Sequence, residues 1–169
     1  QLILLANDLC AIYVKDSLED WGLEAKHYGE VLAENPNLKM VIHSGDGQLL
    51  SDTVKALGAK LDVDFIAVVD SSGSVMEGGN FGCKSGSVMN SIAVKKVLSS
   101  RTSAYGVEEF SNIPYGIVAA APVLDSGNLI GCVVVGFNLY KETIPDITAK
   151  HYNVACTIFK ETERVSTTI

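Results

Sequence analysis

The chain has 169 residues, 47 % hydrophobic and 20 % charged, which specifies a packed globular core and excludes a disordered chain. Lys and Arg total 13 against 20 Asp and Glu, a formal net charge of −7, so the concentrated basic surface that a nucleic-acid backbone needs is missing. No apolar run approaches the roughly 20 residues that cross a bilayer, and 15 Gly with 4 Cys fit neither a collagen nor a disulfide scaffold.

The chain opens on Gln1 without the basic start and small-residue cleavage site of a signal peptide, so it reads as a processed start or as a piece of a longer protein. Leu2-Ile3-Leu4-Leu5 is either the edge of a membrane helix or a helix packing face. Residues 2 to about 35 contain no Pro, and Ala11, Val14, Leu18, Trp21, Ala25, Tyr28 and Leu32 recur at spacings of three and four. That period predicts one long helix with an apolar seam. Leu2, Leu5, Leu9 and Ile12 form a second stripe, so the helix either packs on its own domain and on a neighbour such as a second copy, or is an ordinary helix with a wide core face. Asn35-Pro36-Asn37 ends it. A short helical turn is expected over residues 38–43, broken by Gly45-Asp46-Gly47. Ser51 is then the expected N-cap of a helix to about residue 60, with Leu49, Leu50, Val54, Leu57 and Leu61 inward.

The composition changes at Val63. Phe65-Ile66-Ala67-Val68-Val69-Asp70 reads as a buried strand, Ser71-Ser72-Gly73 as a turn, and Ser74-Val75-Met76 as the start of the returning strand. A glycine-rich stretch follows over residues 78–86, and Ser87 is the expected cap of a helix to about residue 98 carrying Val88, Ile92 and Val97. Residues 105–110, 115–124 and 129–139 read as three further strands, the last two joined by Asp125-Ser126-Gly127-Asn128. No helix fits among those three strands, so the sheet is antiparallel, with helices on one side, and not a parallel nucleotide-binding sheet. Beyond Tyr140 come a helical segment containing Pro145, a strand at 154–159 and a partner at 164–169, the first hairpin of a further sheet cut short.

Lys84-Ser85 after several glycines invites a phosphate-loop reading, but Cys83 stands where that loop needs its second Gly, and the preceding strand belongs to an antiparallel pair. A glycine-rich segment covering a small molecule fits better. His27, His43 and His151 fall in unrelated segments, and Cys10, Cys83, Cys132 and Cys156 form no CxxC pair. That spacing speaks against a zinc site. Cys132 and Cys156 lie in apolar strands, where a thiol behaves as a small hydrophobe. Nothing calls for a cofactor or marks a catalytic residue.

The hairpin over residues 65–75, Phe65-Ile66-Ala67-Val68-Val69-Asp70-Ser71-Ser72-Gly73-Ser74-Val75, resembles that of bacterial extracytoplasmic Cache sensor domains. The run 119–136, with Ala121-Pro122-Val123, a Gly-containing turn and Gly131-Cys132-Val133-Val134-Val135-Gly136, looks like their last two strands. The long first helix is similar to the family's membrane-proximal dimer helix, and residues 154–168 to the start of the second sheet in fused double Cache units of methyl-accepting chemotaxis receptors. Two departures stand out: the Tyr/Arg/Trp/Tyr/Asp signature of the amino-acid-binding branch is not found, and Val118 occupies a place where relatives often carry Arg.

The resemblance implies an α+β fold, a PAS-like five-stranded antiparallel sheet preceded by a long helix. Its expected divisions are residues 1–62 (long helix and helical connector), 63–140 (Cache sensor domain) and 141–169 (connecting helix and first hairpin of a second unit). It also implies a membrane-anchored bacterial receptor with this part outside the cytoplasm, dimeric through the first helix and not an enzyme. The chemoreceptor output is set beside a histidine kinase, a cyclic-nucleotide enzyme or a ligand-free interaction module. A small ligand, an organic acid or amino-acid-like metabolite, is then expected between the sheet and residues 78–102. Lys84 and Arg101 would supply cations there, Ser85, Ser87 and Asn90 neutral hydrogen bonds, and Tyr105, Phe110 and Tyr115 flat walls.

Overall fold

The computed structural model describes residues 2–139 together with positions 146, 150, 157–160 and 163–167. Helix α1 spans Leu2–Ala33 without a break, as the seam predicts. Asn35 caps α2 (Pro36–Ser44) by accepting from the Asn37 and Leu38 N–H groups at 3.0 and 3.2 Å. Helix α3 is Gly47–Gly58, starting four residues before the expected Ser51. Asp46 is its cap, accepting from Leu49 N–H at 3.0 Å, and a carboxylate that reaches a free amide on the first turn outcompetes a serine one turn later.

The sheet comprises β1 (Phe65–Asp70), β2 (Val75–Glu77), β3 (Ala104–Phe110), β4 (Ile113–Asp125) and β5 (Asn128–Asn138). It is antiparallel throughout, in the order β2-β1-β5-β4-β3. Helix α4 (Ile92–Ser100) lies between β2 and β3 in the chain. Strands β6 (Thr157–Lys160) and β7 (Glu163–Thr167) pair as a separate two-stranded sheet. The expected helix with Pro145 lies almost wholly outside the described residues.

Both faces of the sheet are covered, not one as the sequence suggested. On the first face Ile66, Val68, Ile117, Ala119, Ala121, Val133 and Val135 pack against α1, α2 and α3. Val14, Leu18, Trp21, Ala25, Tyr28 and Leu32 all join this core. The seam expected to serve a dimer is therefore the domain's own packing face, and the outward line of α1 carries Ile12 and Leu23 instead, 56 % and 49 % exposed. Gly22 makes the close approach possible: a Cβ there would run into the Tyr105 ring on β3. On the second face, Phe65, Ala67, Val69, Val118, Ala120, Cys132 and Val134 meet α4 and the segment before it.

Asp70 closes the β1–β2 hairpin as an Asx turn, its Oδ1 accepting from Ser72 N (2.8 Å), Ser72 Oγ (2.6 Å) and Ser74 N (3.0 Å). His43 Nε2 lies 2.9 Å from Asp125 Oδ2, linking the end of α2 to the β4–β5 turn across an exposed pair.

Candidate functional site

The segment between β2 and α4 is stitched to the outer edge of β2. Val75 N–H donates to Ser87 O (2.8 Å) and Gly86 N–H to Val75 O (2.7 Å), Ser74 bridges Val88, and Met89 N–H donates to Gly73 O (3.0 Å). These bonds cover an edge that would otherwise expose unpaired backbone. They also explain a second correction: Val88 is held in an extended bridge, so the helix begins at Ile92 with Ser91 as cap, not at Ser87. Gly82 sits at φ 74°, a left-handed turn that redirects the chain after the single 3-10 turn Gly79–Phe81.

Beneath the segment there is packing where a pocket was expected. Phe81 is fully buried, its ring centroid 5.3 Å from Phe65 and 4.9 Å from Phe110. Met89, Val94 and Val97 are also inaccessible and join the same core. Burying one such phenylalanine contributes about 1.5–3 kcal/mol, so the cover is held down by the protein's own side chains.

The recess lies on the outside of this cover. A groove of about 590 Å³ is lined by Gly82, Cys83, Lys84, Ser87, Val88, Asn90, Glu109, Phe110 and Ser111. It unites Lys84, Ser87, Asn90 and Phe110 of the eight expected residues. Lys84 is exposed and makes no ion pair among the described residues. Lys95 Nζ donates to Asn90 Oδ1 at 2.7 Å, which fixes that amide and leaves its NH₂ outward as donor. Burial pushes the Cys83 thiol up, so it stands there as a neutral group.

The other four lie elsewhere. The Ser85 hydroxyl donates to Val75 O and Met76 O, which occupies it on the β2 edge. Arg101 ends α4 in a left-handed conformation, φ 56°, at the opposite end of that helix from the groove. Tyr105 and Tyr115 face α1, because strand residues alternate: Tyr105 pairs with Ala119, and Tyr115, Ile117 and Ala119 share the α1-side core. A register shift between Glu108 and Phe110 turns Ile113 to the α4 side while Tyr115 stays on the other.

Glu108 is the residue sequence reasoning missed. Only 7 % exposed, it points from β3 into the start of α4. Oε1 accepts from Ser91 Oγ (3.1 Å) and Ala93 N (2.8 Å), and Oε2 from Ile92 N (3.0 Å). The carboxylate thus takes up the amides and the positive end of the helix dipole, and it holds together the two walls of the groove, residues 87–90 and 109–111. Its one sequence signal was the pair Glu108-Glu109 in a strand, of which period-two alternation turns only one inward.

A second recess of about 510 Å³, between α3 and the start of β1, contains Lys55, Asp64, Glu77 and Asn80. Three of its polar groups already serve the fold: Asp64 accepts from Asn138 N, Glu77 from Gly79 N, and Asn80 donates to Asp64 O. In the groove at Lys84 the Ser87 hydroxyl donates to Lys84 O (2.6 Å), which leaves the Lys84 ammonium and the Asn90 NH₂ as its donors. Among the described residues no group of three or more His, Cys, Asp or Glu is placed to hold a metal ion.

A long helix laid across a five-stranded antiparallel sheet in this order, with a loop and helix covering the other face, defines an α+β sensory module of the PAS-like Cache class. The family model dCache_3, described as "double sensory domain of two-component sensor kinase", matches residues 7–169, and the chain belongs to that family. It is a sensory domain, as the description of that family has it. Solved structures share the fold at low identity. The E. coli DcuS sensor domain is 17 % identical over 83 % of this chain and 98 % of its own, with a TM-score of 0.63. The periplasmic domain of Vibrio cholerae LuxQ is 14 % identical over 95 % of this chain and 78 % of its own, with a TM-score of 0.64. The ligand-binding domain of the Campylobacter jejuni chemoreceptor Tlp3, solved in complex with L-valine, is 13 % identical over 96 % of this chain and 68 % of its own, with a TM-score of 0.56. No curated protein sequence matches the chain. Among the described residues no helix is long and apolar enough to cross a membrane.

Proposed function

We propose that the chain is the ligand-binding sensor domain of a bacterial transmembrane receptor, and that the groove of Lys84, Ser87, Asn90 and Phe110 takes a small polar or anionic metabolite. The observation that carries this reading is an exposed ammonium with no ion pair among the described residues, beside the Asn90 amide and an aromatic edge, in a member of a sensory family. Residues 1–62, 63–140 and 141–169 serve as helical stem, sensor and start of a second unit. Pairing of two copies then falls to the outer line of α1, where Ile12 and Leu23 stand about three turns apart.

The output we favour is a chemoreceptor, as the sequence resemblance implies and as Tlp3 illustrates. A sensor-kinase output is the second reading, and the description of the matching family supports it. A thermal-shift screen of organic acids and amino acids tests the binding claim, because a ligand of the folded state raises apparent stability by mass action. Hits are expected whose shift disappears in Lys84→Ala. Hits indifferent to Lys84→Ala and Asn90→Ala would move the site elsewhere, and a library without hits would favour a ligand-free interaction module.

A further inference from the structure

At roughly 3.6 residues per turn, Ile92, Lys95, Lys96 and Ser99 fall on the side of α4 away from Ala93, Val94 and Val97, which join the core. All four are exposed, Ile92 at 61 %. Val88, 72 % exposed in its extended bridge to Ser74, leads into this face, and Arg101 closes the helix at its far end.

The charge on this part of the chain has one sign. Residues 78–107 carry Lys84, Lys95, Lys96 and Arg101 and not one Asp or Glu, in a chain whose formal net charge is −7. None of the four forms an ion pair among the described residues. Lys95 Nζ donates to Asn90 Oδ1 at 2.7 Å, and an ammonium has two more hydrogens to offer. Glu108 reaches α4 only at its first turn, buried behind Ser91 and Ala93 and away from Lys95 and Lys96. Exposed branched aliphatics bordered by cations have the make-up of a contact surface, an apolar centre with a charged rim.

That chemistry selects the partner. A lipid bilayer is the poorer match, because the face holds no Trp, Tyr or Phe to sit at the interface, and anionic lipid would repel the acidic remainder of the chain. We infer that the outer face of α4 docks an acidic segment of a partner protein. Carboxylates of that segment meet Lys95 and Lys96, and an aliphatic side chain between them covers Ile92 and Val88. Ile92, Lys95 and Lys96 do not line the groove at Lys84, so this surface stands whether or not the groove holds a ligand. With 9 residues the helix is about 14 Å long, which fits a small, transient interface.

Fluorescence anisotropy tests this with a labelled helical peptide of about four turns, its leucines along one face flanked by glutamates. The peptide should bind. Raising salt from about 0.1 to about 1 M, which shortens the screening length from about 10 to about 3 Å, should weaken it at least fivefold. Lys95→Glu combined with Lys96→Glu should weaken it by about tenfold and Ile92→Ser by about threefold. Melting temperatures should not change, since these side chains are exposed. Lys60→Glu, the same reversal at an exposed lysine beyond α3, should leave the affinity as it was. Equal binding of a peptide with glutamine for every glutamate, or with alanine for every leucine, would overturn the inference. Tighter binding to vesicles of phosphatidylglycerol and phosphatidylethanolamine, lost in the same variants, would make the partner a membrane and overturn it too. No binding of the peptide, or binding indifferent to Lys95, Lys96 and Ile92, also overturns it and leaves the reading of the groove untouched.

Discussion

Removing the Glu108 carboxylate should destabilise the domain more than any other single polar change on the α4 side. In Glu108→Ala, Ser91 Oγ, Ile92 N and Ala93 N lose their acceptor together, and Ser91 is completely buried. Water cannot easily replace the carboxylate there, so the donors bear their desolvation cost in full. Hydrogen bonds to a charged group contribute about 1.5–3 kcal/mol each but do not add when they share one acceptor. A total loss of about 3–5 kcal/mol follows, a large part of a typical domain's stability. Glu108→Gln separates charge from hydrogen bonding. Its amide oxygen can still serve Ser91 and Ala93, while its NH₂ faces the Ile92 N–H donor to donor, and the interaction with the helix dipole is gone. About 1–2 kcal/mol is expected. Urea denaturation followed by circular dichroism measures both, with an unchanged m-value as the sign that only stability moved. A cycle with Ser91→Ala should show coupling above about 1 kcal/mol. If Glu108→Ala lies within about 0.5 kcal/mol of the parent, the carboxylate is not the anchor of α4.

Four other outcomes are expected. Gly22→Ala should destabilise by about 1–3 kcal/mol, because its Cβ meets the Tyr105 ring; in a Tyr105→Ala background the same change should turn neutral or favourable, and equal penalties in both backgrounds would refute the contact. Burial raises the Asp70 pKa, but hydrogen bonds from Ser72, Ser74 and Gly73 outweigh it and hold the carboxyl below its ordinary value. A depressed folded pKa gives stability that is complete above about pH 4 and is lost as pH falls through the folded value, so the parent should lose stability more steeply than Asp70→Asn over that acid range. Burial pushes the Cys132 thiol up to about 12, so alkylation mapped by mass spectrometry should leave Cys132 untouched in native protein and label it in urea; native labelling equal to that of half-buried Cys83 would contradict this. Leu23→Glu should weaken any self-association seen by sedimentation without lowering the melting temperature, whereas Leu18→Glu, in the α1-side core, should unfold the protein.

The strands and α1 were legible because their patterns are local. A seam over residues 11–32 and apolar runs at 65–70 and 117–123 specify what is buried without reference to anything distant. The caps of α3 and α4 were displaced because several Ser and Asp residues compete for each start, and the winner depends on tertiary contacts: Asp46 reaches an amide, and Val88 is claimed by a bridge to Ser74. The site was half legible for the same reason. Lys84, Ser87, Asn90 and Phe110 flank one cover, but Tyr105 and Tyr115 needed the strand register and the shift at Glu108 before their face could be known. That the space under the cover is filled by Phe81 and Met89 depends on side-chain volume, to which the sequence pattern is blind.

The most direct test of the central claim, that this sensory domain takes its ligand on the outside of its cover, is amide NMR of ¹⁵N-labelled protein titrated with the strongest ligand from the screen. The predicted result is a set of shifts concentrated on residues 82–91 and 109–111, with β1, β5 and α1 nearly unmoved. Shifts centred instead on the β1, β4 and β5 residues that pack against Phe81, or on the recess between α3 and β1, would contradict it.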